Sequence, residues 1–191
     1  KIIAFDVETG SPYDTKFALQ PFRAQHYAAN ITSYATAHVR DGGMKTQARR
    51  DPSREDLYQF LSYCIDHNLT VVGWNVAFDA AWLIGYGLET EVTKLKWLDG
   101  MLLWQHLERE PEYEIQRTKR QSFGLKAAVA KYIPKYKGYG DDIDFFDNSP
   151  AMVAKRLRYN KLDAALTLRL TERFYNQLEK QGRKRLNNAL I

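Results

Sequence analysis

At 191 residues and 45% hydrophobic content the chain can bury one sizeable core, so a single domain over 1–191 is expected. No apolar run approaches the roughly 20 residues that span a bilayer, which excludes a helical membrane protein, and the lone cysteine, Cys64, excludes an internal disulfide or a thiolate metal cluster. Lys and Arg outnumber Asp and Glu by 28 to 23, and the resulting +5 suits a phosphate-bearing partner without requiring one.

Residues 2–7, Ile-Ile-Ala-Phe-Asp-Val, form an apolar, β-branched run that predicts a buried strand turning at Gly10. Asp6 and Glu8 are two apart, so their carboxylates share one face, roughly 7 Å apart along the chain. Like charges on such a strand repel and lose hydration unless a cation lies between them. A strand frayed at Asp6, with both acids solvated, would serve equally. Residues 11–30 carry Pro12, Pro21 and several aromatics and predict a long loop. A second strand is expected over 31–40. Asp41-Gly42-Gly43 signals a hairpin into a short third strand over 44–48.

Ser53 is the expected N-cap of a helix, with Asp56 placed for a near capping box. Leu57, Phe60, Leu61, Cys64 and Ile65 recur at helical spacing to about His67, which gives Cys64 a core-packing role. A buried strand over 69–74 and an apolar helix over 76–86 follow, an order that points to a mixed α/β sheet. Trp97-Leu98 predicts a short strand, 101–107 a helix, and 108–121 an exposed charged loop. Ser122 is expected to cap a helix ending at Tyr132. Residues 135–148 form a Gly- and Asp-rich loop in which Asp141, Asp142, Asp144 and Asp147 are solvated. Ser149 then caps, with Pro150 at the first position, a helical region reaching about Lys180 and bent near Tyr159.

Two further acids stand out. Asp79 lies among apolar helical neighbours, either as a buried carboxylate in need of a partner or as a first-turn acid favoured by the helix dipole. Tyr159 and Asp163 are four apart, on one helical face with Leu166 and Leu170. That face turns inward, or Asp163 is an edge acid of an amphipathic helix.

In chain order these are Asp6 and Glu8 on a first strand, Asn75 with Phe78-Asp79 on a later helix, and Tyr159 with Asp163 on a C-terminal helix. In that pattern the chain resembles the DEDD superfamily of 3′–5′ exonucleases. The histidine subclass carries His five residues before the last Asp; Arg158 stands there, so the chain is similar to the tyrosine subclass. That subclass includes the proofreading domains of family A, phage-type DNA polymerases and the ribonuclease D-like enzymes.

The resemblance implies an α/β, ribonuclease H-like fold, a mixed sheet of about five strands flanked by helices. It implies a catalytic set of Asp6, Glu8, Asp79, Tyr159 and Asp163. The four carboxylates would hold two Mg²⁺, with Mn²⁺ as a substitute, and Thr9, Asn75 and Phe78 would touch substrate. The implied activity removes nucleoside 5′-monophosphates from single-stranded or frayed DNA 3′ ends, in the cytoplasm of a bacterium or phage-infected cell. A start at Lys1, directly on a strand, fits a domain cut from a longer polymerase chain. Arg117, Lys119, Arg120, Lys126, Lys155, Arg156 and Lys161 are candidate phosphate contacts, and the aromatic residues of 13–27 or Phe123 candidate stacking surfaces. Each reads equally as ordinary surface or core. The alternatives are an RNA 3′-end-trimming exonuclease of ribonuclease D type and a metal-free nucleic-acid-binding module.

Overall fold

The computed structural model describes residues 1–11, 21, 28–108 and 123–189, with side chains described as far as 182. Five strands form one mixed sheet in the order β3-β2-β1-β4-β5: β1 (Ile2–Gly10), β2 (Asn30–Arg40), β3 (Gly43–Arg50), β4 (Thr70–Gly73) and β5 (Lys96–Asp99). β1, β2 and β3 pair antiparallel, whereas β1, β4 and β5 run parallel. Helices flank the sheet, an α/β arrangement consistent with the ribonuclease H-like fold expected.

The central strand has two buried faces, which explains its continuous apolar run. Ile3, Phe5 and Val7 enter a core with Leu57, Leu61 and Cys64 of α1 (Arg54–Asp66), Trp82 and Leu83 of α2 (Val76–Gly85) and Val92 of α3 (Glu89–Lys94). Ala4 faces the other way, packing with Ala35, Ala37 and Val72 against Ala164 and Leu168 of α6 (Pro150–Ala189). These small side chains let α6 lie close across the sheet. Beyond the sheet edge, α4 (Gly100–Glu108) and α5 (Leu125–Tyr132) close a third cluster around Trp104, Leu170 and Phe174.

Local chemistry sets several boundaries as expected. Asp41 and Gly42 both have positive φ, +52° and +73°, the geometry of a two-residue turn whose twist matches the β2–β3 hairpin. Ser53 and Asp56 complete a reciprocal capping box, at 3.2 and 2.9 Å. Ser149 Oγ accepts the Met152 N–H at 3.3 Å.

Other boundaries differ. β1 continues through Glu8 to Gly10, with an irregularity in register after Glu8, so neither acid sits on a frayed end. α5 begins after Gly124 rather than at a Ser122 cap, and Ser122 lies outside the described residues. The chain is extended at Gly124, and the Phe123 carbonyl before it accepts the Trp74 indole N–H at 2.9 Å. α3 and a 3₁₀ turn at Pro134–Tyr136 went unpredicted, each too short for a periodic signal. α6 is helical without a break through Tyr159, so the expected bend does not interrupt it. Most of 11–30 and all of 109–122 lie outside the described residues. Among the described residues no helix is long and apolar enough to cross a membrane.

Candidate active site

β1 outruns its parallel neighbour: its pairing with β4 ends at Ala4 opposite Val72, so Asp6 and Glu8 project beyond the carboxyl end of β4. Crevices at such strand ends are where open α/β sheets bind ligands. Across the antiparallel pairing Asp6 faces Ala35 and Glu8 faces Ser33, small residues that leave room for the carboxylates. α6 crosses above and brings Tyr159 and Asp163. One carboxylate oxygen from each of Asp6, Glu8 and Asp163 lies within 4.8 Å of the other two.

Asp79 stands beside this trio rather than in it. It is 3% exposed, and its Oδ1 accepts the Val7 N–H at 3.0 Å, which ties α2 to the strand between the two acids. Of the other expected residues, Thr9 and Phe78 line a groove next to Glu8. Asn75 is exposed in a left-handed conformation, φ +62°, at the start of α2, and its side chain makes no cap bond.

Crowded, poorly hydrated carboxylates hold their protons. Burial, then the charges of Asp163, Asp79 and Glu8, raises Asp6 well above the ordinary carboxylate range. Burial, then the charges of Asp163 and Asp79, push Glu8 up to about 8, against the pull of Lys126 and Arg156. Burial raises Asp79 to about 7 although the Val7 N–H favours its charged form. Asp163 rises to about 6 by burial, held back by the phenols of Tyr139 and Tyr159 and by Lys126. Asp163 Oδ1 is buried with no hydrogen-bond partner among the described residues. An all-oxygen set of carboxyl donors whose charged forms lack compensation, with an orphaned buried oxygen, fits a hard divalent cation.

Three contributors escaped sequence reasoning. Asn160, wholly buried, donates from Nδ2 to Asp6 Oδ2 at 2.7 Å and accepts from Ser33 Oγ at 3.1 Å. Its signal was available, since it shares the inward helical face three residues before Asp163. Tyr139 stacks on Tyr159 with ring centroids 5.7 Å apart, its hydroxyl directed at the Asp163 carboxylate without completing a hydrogen bond. Burial foremost, and then the charge of Asp163, drives both phenols far above their usual range. Gly140, at φ +74°, makes this stack possible, because a Cβ there would collide with the Tyr159 ring. Nothing in the local sequence announced Tyr139. Asp99, at the end of β5, accepts the Asn75 and Val76 N–H groups at 3.1 and 3.0 Å and so fixes the start of the helix that carries Asp79.

Beside Glu8 a cleft of about 390 Å³ is bordered by Gly10, Thr32, Arg50, Phe145, Phe146 and Arg156. An adjoining hollow of about 270 Å³ adds Thr9 and Phe78. Phe146 is 63% exposed, a large apolar ring left in water at the rim. Arg156 is held in place by the Phe145 carbonyl at 2.6 Å and Asn148 Oδ1 at 3.0 Å. Among the other basic candidates, Lys126 Nζ lies 5.8 Å from the Tyr159 ring centroid and 3.4 Å from Asp141 Oδ1, and Lys155 is paired with Asp142. Phe123 belongs to the core around Trp104. Arg117, Lys119, Arg120 and the aromatic residues of 13–27 lie outside the described residues. The chain matches no protein-family model and no curated protein.

Proposed function

We propose that this chain is a two-metal-ion 3′–5′ exonuclease of the DEDD superfamily, tyrosine subclass, that releases nucleoside 5′-monophosphates from single-stranded or frayed DNA 3′ ends. In this reading it proofreads for a covalently attached DNA polymerase. The observation that carries the proposal is the convergence of Asp6, Glu8 and Asp163 oxygens within 4.8 Å, drawn from a strand and a helix far apart in sequence. Carboxylates brought so close, with pKa values raised by burial and by one another, need a cation more than they need each other.

Asp6, Glu8 and Asp163 would hold a divalent ion, Mg²⁺ or Mn²⁺, and Asp79 would serve the second from its flanking position. Such ions, when bound, supply an activated water and neutralise charge on the leaving 3′ oxygen. The chain's own groups do the remainder. Burial, and then the charge of Asp163, favour the protonated phenol of Tyr159 in the metal-free site, so its hydroxyl would act as a donor that orients the attacking water or a phosphate oxygen. Glu8, at the mouth of the cleft, accepts from that water. Arg156 and Lys126 attract the phosphates and position the strand without reading its bases. Phe78, Phe145 and Phe146 offer apolar walls on which terminal bases can stack. A paired end must first unstack to enter, which favours frayed or mismatched termini.

Digestion of 5′-labelled single-stranded DNA and RNA with Mg²⁺, alongside Asp6→Ala, tests this. A DNA ladder lost in the variant is the expected result. Faster trimming of RNA than DNA would move the assignment to the ribonuclease D type, and binding without cleavage would leave only a nucleic-acid-binding module.

A further inference from the structure

We propose that Asn160 is a positioning residue, a strut that ties Asp6 on β1 to α6 and thereby sets the separation of the Asp6 and Asp163 carboxylates before a cation arrives. The inference rests on the metal-dependent reading above and assigns a role to a side chain outside the acidic set.

Asn160 is completely buried, and both ends of its amide are engaged. Nδ2 donates to Asp6 Oδ2 at 2.7 Å and to the Asp6 carbonyl oxygen at 3.3 Å. Oδ1 accepts from Ser33 Oγ at 3.1 Å. The polarity of this relay is dictated by chemistry. The Asp6 backbone carbonyl can only accept, so the amide turns its nitrogen toward β1; its oxygen then faces β2, and Ser33 is the donor to it. A flipped amide would set oxygen against the Asp6 carbonyl and lose that bond, whereas the Ser33 hydroxyl can pair with either end. Ser33, 5% exposed and paired opposite Glu8, braces the amide from behind.

The relay joins three elements at the place where they are hardest to hold together. Asp6 and Asp163 repel, and the apolar contacts beneath them are made by Ala4, Ala35 and Ala164. Alanines permit close approach but do not aim a carboxylate. The amide does, because it grips the carboxylate and the backbone of the same residue from the helix that carries Asp163, one turn away. Hydrogen-bonded partners behind metal-binding side chains commonly change metal affinity by about 10–100-fold.

The test is calorimetric titration of the EDTA-treated protein with Mn²⁺, comparing wild type, N160L, N160A and S33A, with thermal melts in EDTA as the measure of folding. N160L keeps most of the buried volume and removes both hydrogen-bonding ends. N160L and N160A are expected to bind Mn²⁺ about 10–100-fold more weakly. S33A, which retains the amide and loses only its brace, should show a smaller weakening, with no additional loss when combined with N160A. A parallel readout is kcat on single-stranded DNA, expected to fall while KM changes little. Wild-type affinity in folded N160L, or in S33A should both Asn160 variants fail to fold, overturns the inference and leaves the exonuclease reading intact. Absence of Mn²⁺ binding by the wild type overturns both.

Discussion

The two faces of β1 are built from alternate residues of one nonapeptide and could hardly differ more. Ile3, Phe5 and Val7 enter a core of large apolar side chains, where Phe5 stacks on Phe60 at 5.0 Å between ring centroids. Asp6 and Glu8, on the other face, meet the carboxylate, amide and phenol of α6 and the Tyr139 phenol of the loop before it. The first face gains stability by removing apolar surface from water. The second does so only at Ala4; beyond it the carboxylates are desolvated, repel one another and retain protons at pH values where free acids have lost them. A single strand thus carries the fold on one side and an unsatisfied demand for positive charge on the other, and mutations on the two sides should have opposite signatures.

The largest contrast lies between Asp6→Ala and Phe5→Ala. Asp6→Ala should lower exonuclease kcat by about 1,000-fold or more, the loss of several kcal/mol of transition-state stabilisation, while the metal-free protein melts no lower than wild type. Phe5→Ala should cost about 3–5 kcal/mol and lower the melting temperature by roughly 10 °C, with any residual activity tracking the folded fraction. Steady-state kinetics and calorimetric melts on both variants decide this.

The acid face also makes metal-free stability fall with rising pH. Each site carboxylate has a folded pKa above its unfolded value, so its contribution is present below about pH 4 and disappears as pH rises through about 6 for Asp163, 7 for Asp79 and 8 for Glu8. Melts in EDTA should therefore decline steeply, on the order of 10–20 °C, between pH 5 and pH 8.5. Mn²⁺ should restore more at the upper end than the lower, and Asp163→Asn should flatten the EDTA curve. A metal-free melting temperature that rises over this interval would contradict the electrostatic description.

Smaller effects grade the phenols and the rim. Tyr159→Phe should lower kcat by about 10–100-fold with little change in KM, and Tyr139→Phe, one ring further back, by only about threefold. Phe146→Ala should raise KM for single-stranded DNA by about 5–10-fold, the low end of base–aromatic stacking, and leave kcat and melting unchanged. Kinetics with oligonucleotides of fixed length separate these outcomes.

Much of the apolar face was legible in the sequence because its causes are local. The β-branched run of β1, the Asp41-Gly42 turn and the Ser53–Asp56 capping box each follow from neighbours a few residues apart. What escaped was set by distant contacts or lay in elements too short to show a period. α5 starts only after Gly124, where the Phe123 carbonyl accepts from distant Trp74, and α3 spans only six residues. The site was legible in a different way. No acid announces itself alone, and the order of Asp6, Glu8, Asp79, Tyr159 and Asp163 points to a shared pocket only when taken jointly. Which oxygens meet was not legible: Asp79 turns to the Val7 N–H because β1 extends past β4, a fact of sheet register. Tyr139 reaches Asp163 through a loop whose path depends on Gly140.

The central claim is that Asp6, Glu8 and Asp163 form a cation site whose charges are otherwise unmet. Electron paramagnetic resonance of Mn²⁺ added to EDTA-treated protein at neutral pH tests it most directly, with Asp163→Asn as the comparison and melting curves showing both proteins folded. Loss of the free-ion signal with the wild type, and its persistence with Asp163→Asn, is the predicted result. Equal uptake by the two proteins, or none by the wild type, would contradict it.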